Sequence, residues 1–161
     1  RLGVLLSTPT TRTRMLATAA AAQATLIALV AGLTGLGIWG GARLGSLGLA
    51  TENVAGATAH LLALGLFIGA AALLAVAALG TSAAATWTAT GVGLVGYVIN
   101  TTLPMNPDLA DWARISPFHW YGATNPLENG ADWGNVAILL MGSAVLLAAS
   151  FPLFTRRDLR V

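Results

Sequence analysis

Gln23, His60 and Asn100 are the strongest polar side chains inside otherwise apolar stretches of this 161-residue chain. A carboxamide donates and accepts hydrogen bonds, and an imidazole can in addition titrate or hold a metal. Away from water, such groups either bond to a neighbouring helix, which is the plainer reading, or line a path for a solute. His60 in principle fits a haem, but two helices holding a haem normally supply two axial imidazoles, and the only other His, His119, stands in a connecting segment. The apolar stretches carry neither paired carboxylates nor an Asp/His series, which weighs against a proton-coupled pump. There is no Cys, so disulfides and thiolate metal sites are excluded. All eight basic residues are Arg, so no GxxxxGK[ST] phosphate loop exists in this chain.

The elements that must position these groups follow from where charge is absent. Met15 to Ala42, Asn53 to Pro107 and Trp133 to Thr155 contain no Asp, Glu, Lys or Arg. With 56% hydrophobic and 9% charged residues, the chain has too little polar surface to cover a water-soluble core. A bilayer is crossed by about 20 apolar residues, and backbone in lipid must satisfy its own hydrogen bonds, so these runs are read as membrane helices. The run from Asn53 to Leu103 would be roughly 76 Å long as one helix, more than twice the hydrocarbon thickness. It must break, and Gly80-Thr81-Ser82 offers a helix stop followed by a cap. The fold class is therefore an all-α polytopic membrane protein, with spans at 15–41, 53–79, 82–103 and 134–154. Residues 1–14 precede the first span, 104–133 form a loop and 155–161 a tail.

Charge sets the orientation expected. Arg1, Arg12 and Arg14 precede the first span, and Arg156, Arg157 and Arg160 against Asp158 follow the last, whereas the loop carries Asp108, Asp111, Glu128 and Asp132 against Arg114. By the positive-inside rule both ends are cytoplasmic, which requires an even number of spans. Gly37/Gly41, Gly65/Gly69 and Gly91/Gly93/Gly96 are candidates for close helix packing.

The 104–133 loop has its own order. Asn106-Pro107, Ser116-Pro117 and Asn125-Pro126 each set a capping residue before a proline suited to the first helical position. Leu109, Trp112 and Ile115 recur every third residue, as in an amphipathic surface helix, with Phe118, Trp120 and Tyr121 following. These residues, with Ser116 and Pro117, read either as an interfacial aromatic belt or as an outer gate.

Ahead of the first span stands Leu5-Leu6-Ser7-Thr8-Pro9-Thr10-Thr11-Arg12. It resembles the Glu-Leu-Leu-Leu-Ala-Thr-Pro-Val-Ser-Arg segment of ABC-2 type permeases of the drug and polyketide-antibiotic exporter kind. Ile115-Ser116-Pro117-Phe118-His119-Trp120-Tyr121, then Asn125-Pro126-Leu127 and Asp132-Trp133, is similar to that family's segment before the last span, and Phe154-Thr155-Arg156-Arg157-Asp158-Leu159 to its close. Three matches in order cover the chain as the C-terminal four spans of a permease that usually has six, so the chain is expected to be part of a longer polypeptide. Gly3 departs from the pattern, where the family often has Glu.

The resemblance implies a cytoplasmic coupling helix. Leu2, Leu5, Leu6, Thr8 and Pro9 would then sit near an ATPase contact, with Arg12 and Arg14 at the membrane surface. It further implies a separate nucleotide-binding ATPase subunit holding ATP and Mg, a second permease half as another copy or a fused repeat, and a small amphiphilic substrate. The expected setting is a bacterial inner membrane, with no nucleic acid involved and no catalysis in this chain. The rival readings are a membrane anchor of a redox complex, motivated by His60, and an assembly subunit without a transport path.

Overall fold

A computed structural model describes residues 12–155 as helices joined by short turns. Four long helices are apolar enough to cross a membrane: α1 (Arg12–Leu44), α2 (Thr51–Leu79), α3 (Ser82–Thr102) and α6 (Trp133–Thr155). Two short ones, α4 (Pro117–Gly122) and α5 (Pro126–Asn129), stand in the loop between α3 and α6. At 33 residues α1 is about 50 Å long, so it tilts in or projects beyond the ~30 Å hydrocarbon layer.

The central break has a local cause. Gly80 takes a left-handed conformation (φ 71°), its N–H donates to the Val76 carbonyl, and the Thr81 hydroxyl accepts from Ala84 N–H at 3.3 Å to open α3. A side chain at Gly80 would strain this turn, whereas glycine adopts it freely. At the other connection, Trp39 Nε1–H (3.3 Å) and an Arg43 guanidinium N–H (3.2 Å) both donate to the Thr51 hydroxyl, which ties the end of α1 to the start of α2.

Helix α2 is the hub. It packs against α1, α3, α6 and both loop helices, most extensively against α6. Gly56 beside Ala131 and Phe67 beside Gly142 show that α2 and α6 run parallel, while Gly69 beside Gln23 and Gly65 beside Ile27 show that α1 runs antiparallel to α2. Consequently α1 begins and α6 ends at one end of the bundle, and the α3–α6 loop lies at the other. The core sits toward the loop end, where Ala63 and Leu64 of α2 meet Val136 and Leu139 of α6 beneath Phe118, Trp120 and Tyr121.

Outward faces are apolar. Leu26, Leu33 and Leu36 of α1, Trp87 and Leu94 of α3 and Val145 of α6 are all more than 60% exposed. In water such exposure would drive aggregation; in lipid it is the solvated state. Of the glycine sets, only Gly65/Gly69 packs one span on another. A side chain added at Gly37, Gly41, Gly91 or Gly93 would meet nothing within 4 Å, and Gly96 faces the loop.

The loop departs from the sequence reading in two places. Pro107 does not open a helix; Asn106 Oδ1 instead accepts from Asp108 N–H at 3.0 Å, and the 3₁₀ turns of this stretch lie to either side, at Leu103–Met105 and Ala110–Ile115. The three-residue spacing of Leu109, Trp112 and Ile115 suits that tighter turn, but these side chains project outward, 41%, 60% and 69% exposed. Asn125 precedes α5 in a left-handed conformation (φ 47°) with no capping bond from its side chain.

Candidate functional site

The three intramembrane polar residues do not form one site. Gln23 of α1 lies beside Gly69 of α2, whereas His60 stands nine residues earlier on α2, about 14 Å away along the axis. Asn100 is half-buried in the last turn of α3, near the loop. Among the described residues no continuous polar path joins these three.

His60 is fully buried. Its Nδ1 sits 2.9 Å from the Gly56 carbonyl, and since that oxygen only accepts, Nδ1 carries the proton. Nε2 is buried and has no partner among the described residues. The neighbouring Gly56 is required by close approach: a Cβ there would lie 2.8 Å from the Ala131 backbone nitrogen. His60 thus marks where α2 meets the segment leading into α6.

Gln23 occupies a different setting. A cleft of about 210 Å³ opens between α1, α2 and α6 in the half of the bundle toward the chain ends, with walls that include Ile27, Leu73 and Leu147. Gly69 makes room for the carboxamide, since a Cβ there would stand 2.8 Å from Gln23 Nε2. The carboxamide has no hydrogen-bond partner among the described residues. Across the cleft, Ser143 Oγ donates to the Leu139 carbonyl at 2.7 Å, which leaves its lone pairs unused.

The loop is stapled to the bundle by side chains. Ser116, 2% exposed, donates from Oγ to the Gly96 carbonyl of α3 at 2.7 Å and accepts from Phe118 N–H at 3.1 Å, capping α4 ahead of Pro117. Phe118 meets Tyr97 of α3 edge-on at 5.9 Å, and Trp120 Nε1–H donates to the Arg114 carbonyl at 3.0 Å. From α2, Asn53 Nδ2 donates to the Leu127 and Glu128 carbonyls at 3.1 and 2.9 Å. Asp132 Oδ1 accepts from Gly134 and Asn135 N–H at 2.9 and 3.2 Å and caps α6. Ser116, Phe118, Trp120 and Tyr121 therefore pack into the structure, while Trp112 stays outside.

Asn53, Gly56 and Ser143 are contributors that sequence reasoning missed. Asn53 stands at the start of a charge-free run beside Glu52, with nothing local to mark it; only the returning loop gives it partners. Of the arm, Leu2, Leu5, Leu6, Thr8 and Pro9 lie outside the described residues. Arg12 is the first residue of α1, and Arg14, within the same first turn, is exposed.

Comparison with known proteins gives one family. No curated protein and no solved structure matches the chain. The family described as "Multidrug efflux system permease Rv1217c, C-terminal domain" matches residues 1–155. With four apolar helices, a hub helix and almost the whole length matched, the chain belongs to the multidrug efflux permease family of that C-terminal domain.

Proposed function

We propose that this chain is the C-terminal membrane portion of the permease of an ATP-driven ABC exporter that removes hydrophobic or amphiphilic compounds, antibiotics among them, from a bacterial cell. Membership of a multidrug efflux permease family over residues 1–155 carries the reading. The arm sequence Leu5-Leu6-Ser7-Thr8-Pro9 supports it as the contact for a nucleotide-binding subunit, which holds ATP and Mg. The chain lies in the inner membrane with both ends cytoplasmic and pairs with a second permease half.

The packing supports a route for coupling. The arm continues into α1, α1 lies along α2 through Gln23/Gly69 and Ile27/Gly65, and α2 holds the loop through Asn53. Nucleotide binding in the partner would displace the arm and α1, and α2 would carry that shift to the loop, with Ser116 to Tyr121 at the exit. This chain binds and guides solute and catalyses no bond change.

The test uses the complete permease purified with its companion subunits into lipid, with ATP hydrolysis measured as candidate drugs are added. Drug-stimulated hydrolysis that disappears in the double variant Leu5→Asp/Leu6→Asp is expected. Purification without any ATPase sinks the reading. Single cysteines placed at Ser7 and Asp158, in a complete permease freed of any other cysteine, report the side of each end; labelling from opposite compartments contradicts the topology.

A further inference from the structure

The carboxamide of Gln23 poses a problem that the rest of the bundle does not solve. It lies nine residues beyond Arg14, about 14 Å along α1 from the charged end, and so well inside the hydrocarbon layer. Water there is scarce, lipid tails offer no hydrogen bonds, and no described protein group reaches it. An unpaired amide in an apolar medium costs on the order of 2–7 kcal/mol. Beside it lies open space, the 210 Å³ cleft between α1, α2 and α6.

We propose that this cleft binds an uncharged, mainly apolar molecule carrying a hydroxyl or carbonyl group, taken up sideways from the bilayer and held by the Gln23 carboxamide. Ser143 Oγ, whose proton is committed to the Leu139 carbonyl, is the second polar contact and accepts from a ligand hydroxyl. No charged side chain lines the cleft, so an ionic ligand would bring an uncompensated charge into a low dielectric. A lone water would find only Gln23 and Ser143, the lower end of the two to four polar partners it needs, and would leave the remaining aliphatic and glycine walls uncovered. A plain acyl tail satisfies the walls and leaves the carboxamide unpaired. A molecule with both parts satisfies both.

The assignment rests on the cleft and does not depend on the exporter reading. Its test is run on the complete permease complex in phosphatidylcholine nanodiscs without nucleotide, so neither hydrolysis nor transport enters the readout. The probe is a diazirine derivative of 1-dodecanol, photoactivated and mapped by mass spectrometry. Expected is labelling concentrated in residues 20–27, 66–73 and 140–147, displaced by 1-dodecanol and not by dodecane. Loss of the hydrogen bond in Gln23→Leu should weaken competition about fivefold, the equivalent of about 1 kcal/mol. Ala144→Phe, which fills the cleft from its open side, should remove the labelling, and Leu94→Ala on the outward face of α3 should leave it unchanged. Should Gln23→Leu lose helix content, Gln23→Met and Ala144→Phe carry the same comparison. Displacement by dioleoylglycerol as well as dodecanol identifies a hydroxyl-bearing lipid as the occupant, and displacement by dodecanol alone a single-chain solute; both uphold the site. Equal competition by dodecane, labelling spread evenly over α3, no labelling of the cleft segments, or an unchanged Gln23→Leu variant overturns it.

Discussion

The loop end of the bundle and its opposite half handle buried polar groups in contrasting ways. At the loop end, the side chains of Asn53, Ser116 and Asp132 bond to loop carbonyls, to the first amides of α4 and α6 and, from Ser116, to a carbonyl of α3, and a packed core of Ala63, Leu64, Val136 and Leu139 lies beneath them. Toward the chain ends, Gln23 has no partner and faces a cleft. The difference follows from what the chain must do locally. A loop has irregular backbone, and its polar groups need side-chain partners wherever water is excluded. A straight helix has already satisfied its backbone, so a polar side chain on it is free for another molecule. His60 Nε2 and Thr124 Oγ1 show that the loop end is not perfectly closed either.

If that contrast is right, the loop end is where substitutions cost stability. Gly56→Leu should have the largest effect, destabilising by about 3 kcal/mol, because the new side chain runs into the Ala131 backbone, which cannot swing aside as a flexible side chain does. Reversible unfolding in mixed SDS micelles measures it, and a cost below 1 kcal/mol would show that the α2–α6 approach is slack. Asn53→Ala removes both bonds to the Leu127 and Glu128 carbonyls and should cost about 2 kcal/mol. Its local signature is faster hydrogen exchange across α5 and the start of α6, with α1 unaffected; uniform acceleration would mean that the loop is not a separate stapled unit.

Ser116→Ala loses the cap on α4 and the bond to α3 and should cost about 1 kcal/mol, since the Gly96 carbonyl lies within a helix that already satisfies it. His60→Leu should have the smallest effect, within about 1 kcal/mol of zero, because it removes an unpaired buried ring nitrogen together with one bond to a helical carbonyl. A loss of 3 kcal/mol at this position in the same unfolding assay would reveal a partner for Nε2 and erase the contrast drawn above.

Much of the fold was legible in the sequence because lipid is an unforgiving solvent. Charge-free runs, a length that one helix could not span, and Gly80-Thr81-Ser82 were enough for four crossings, since helix stop and cap are local chemistry. Ser116 was legible as a cap for the same reason. Asn125 misled, because an Asn-Pro pair carries a cap signal but no information on whether the preceding turn forces a left-handed backbone, as it does here. The glycines misled in part: spacing alone does not tell a helix face turned to lipid, such as Gly37 and Gly41, from one turned to another helix, such as Gly65 and Gly69.

The sequence by itself determined that the chain is built for a membrane, that it has four helices long and apolar enough to cross one, and where it turns, since each of these depends on transfer free energies and backbone preferences that act within a few residues. Only the tertiary structure decided that α2 is the hub, that Asn53 reaches the loop 74 residues onward, that His60 and Gln23 are separated, and that Gln23 faces open space. Those facts depend on which helix faces meet. Between helices of nearly uniform apolarity, shape complementarity at particular glycines selects the faces, and that complementarity exists only once the helices are together.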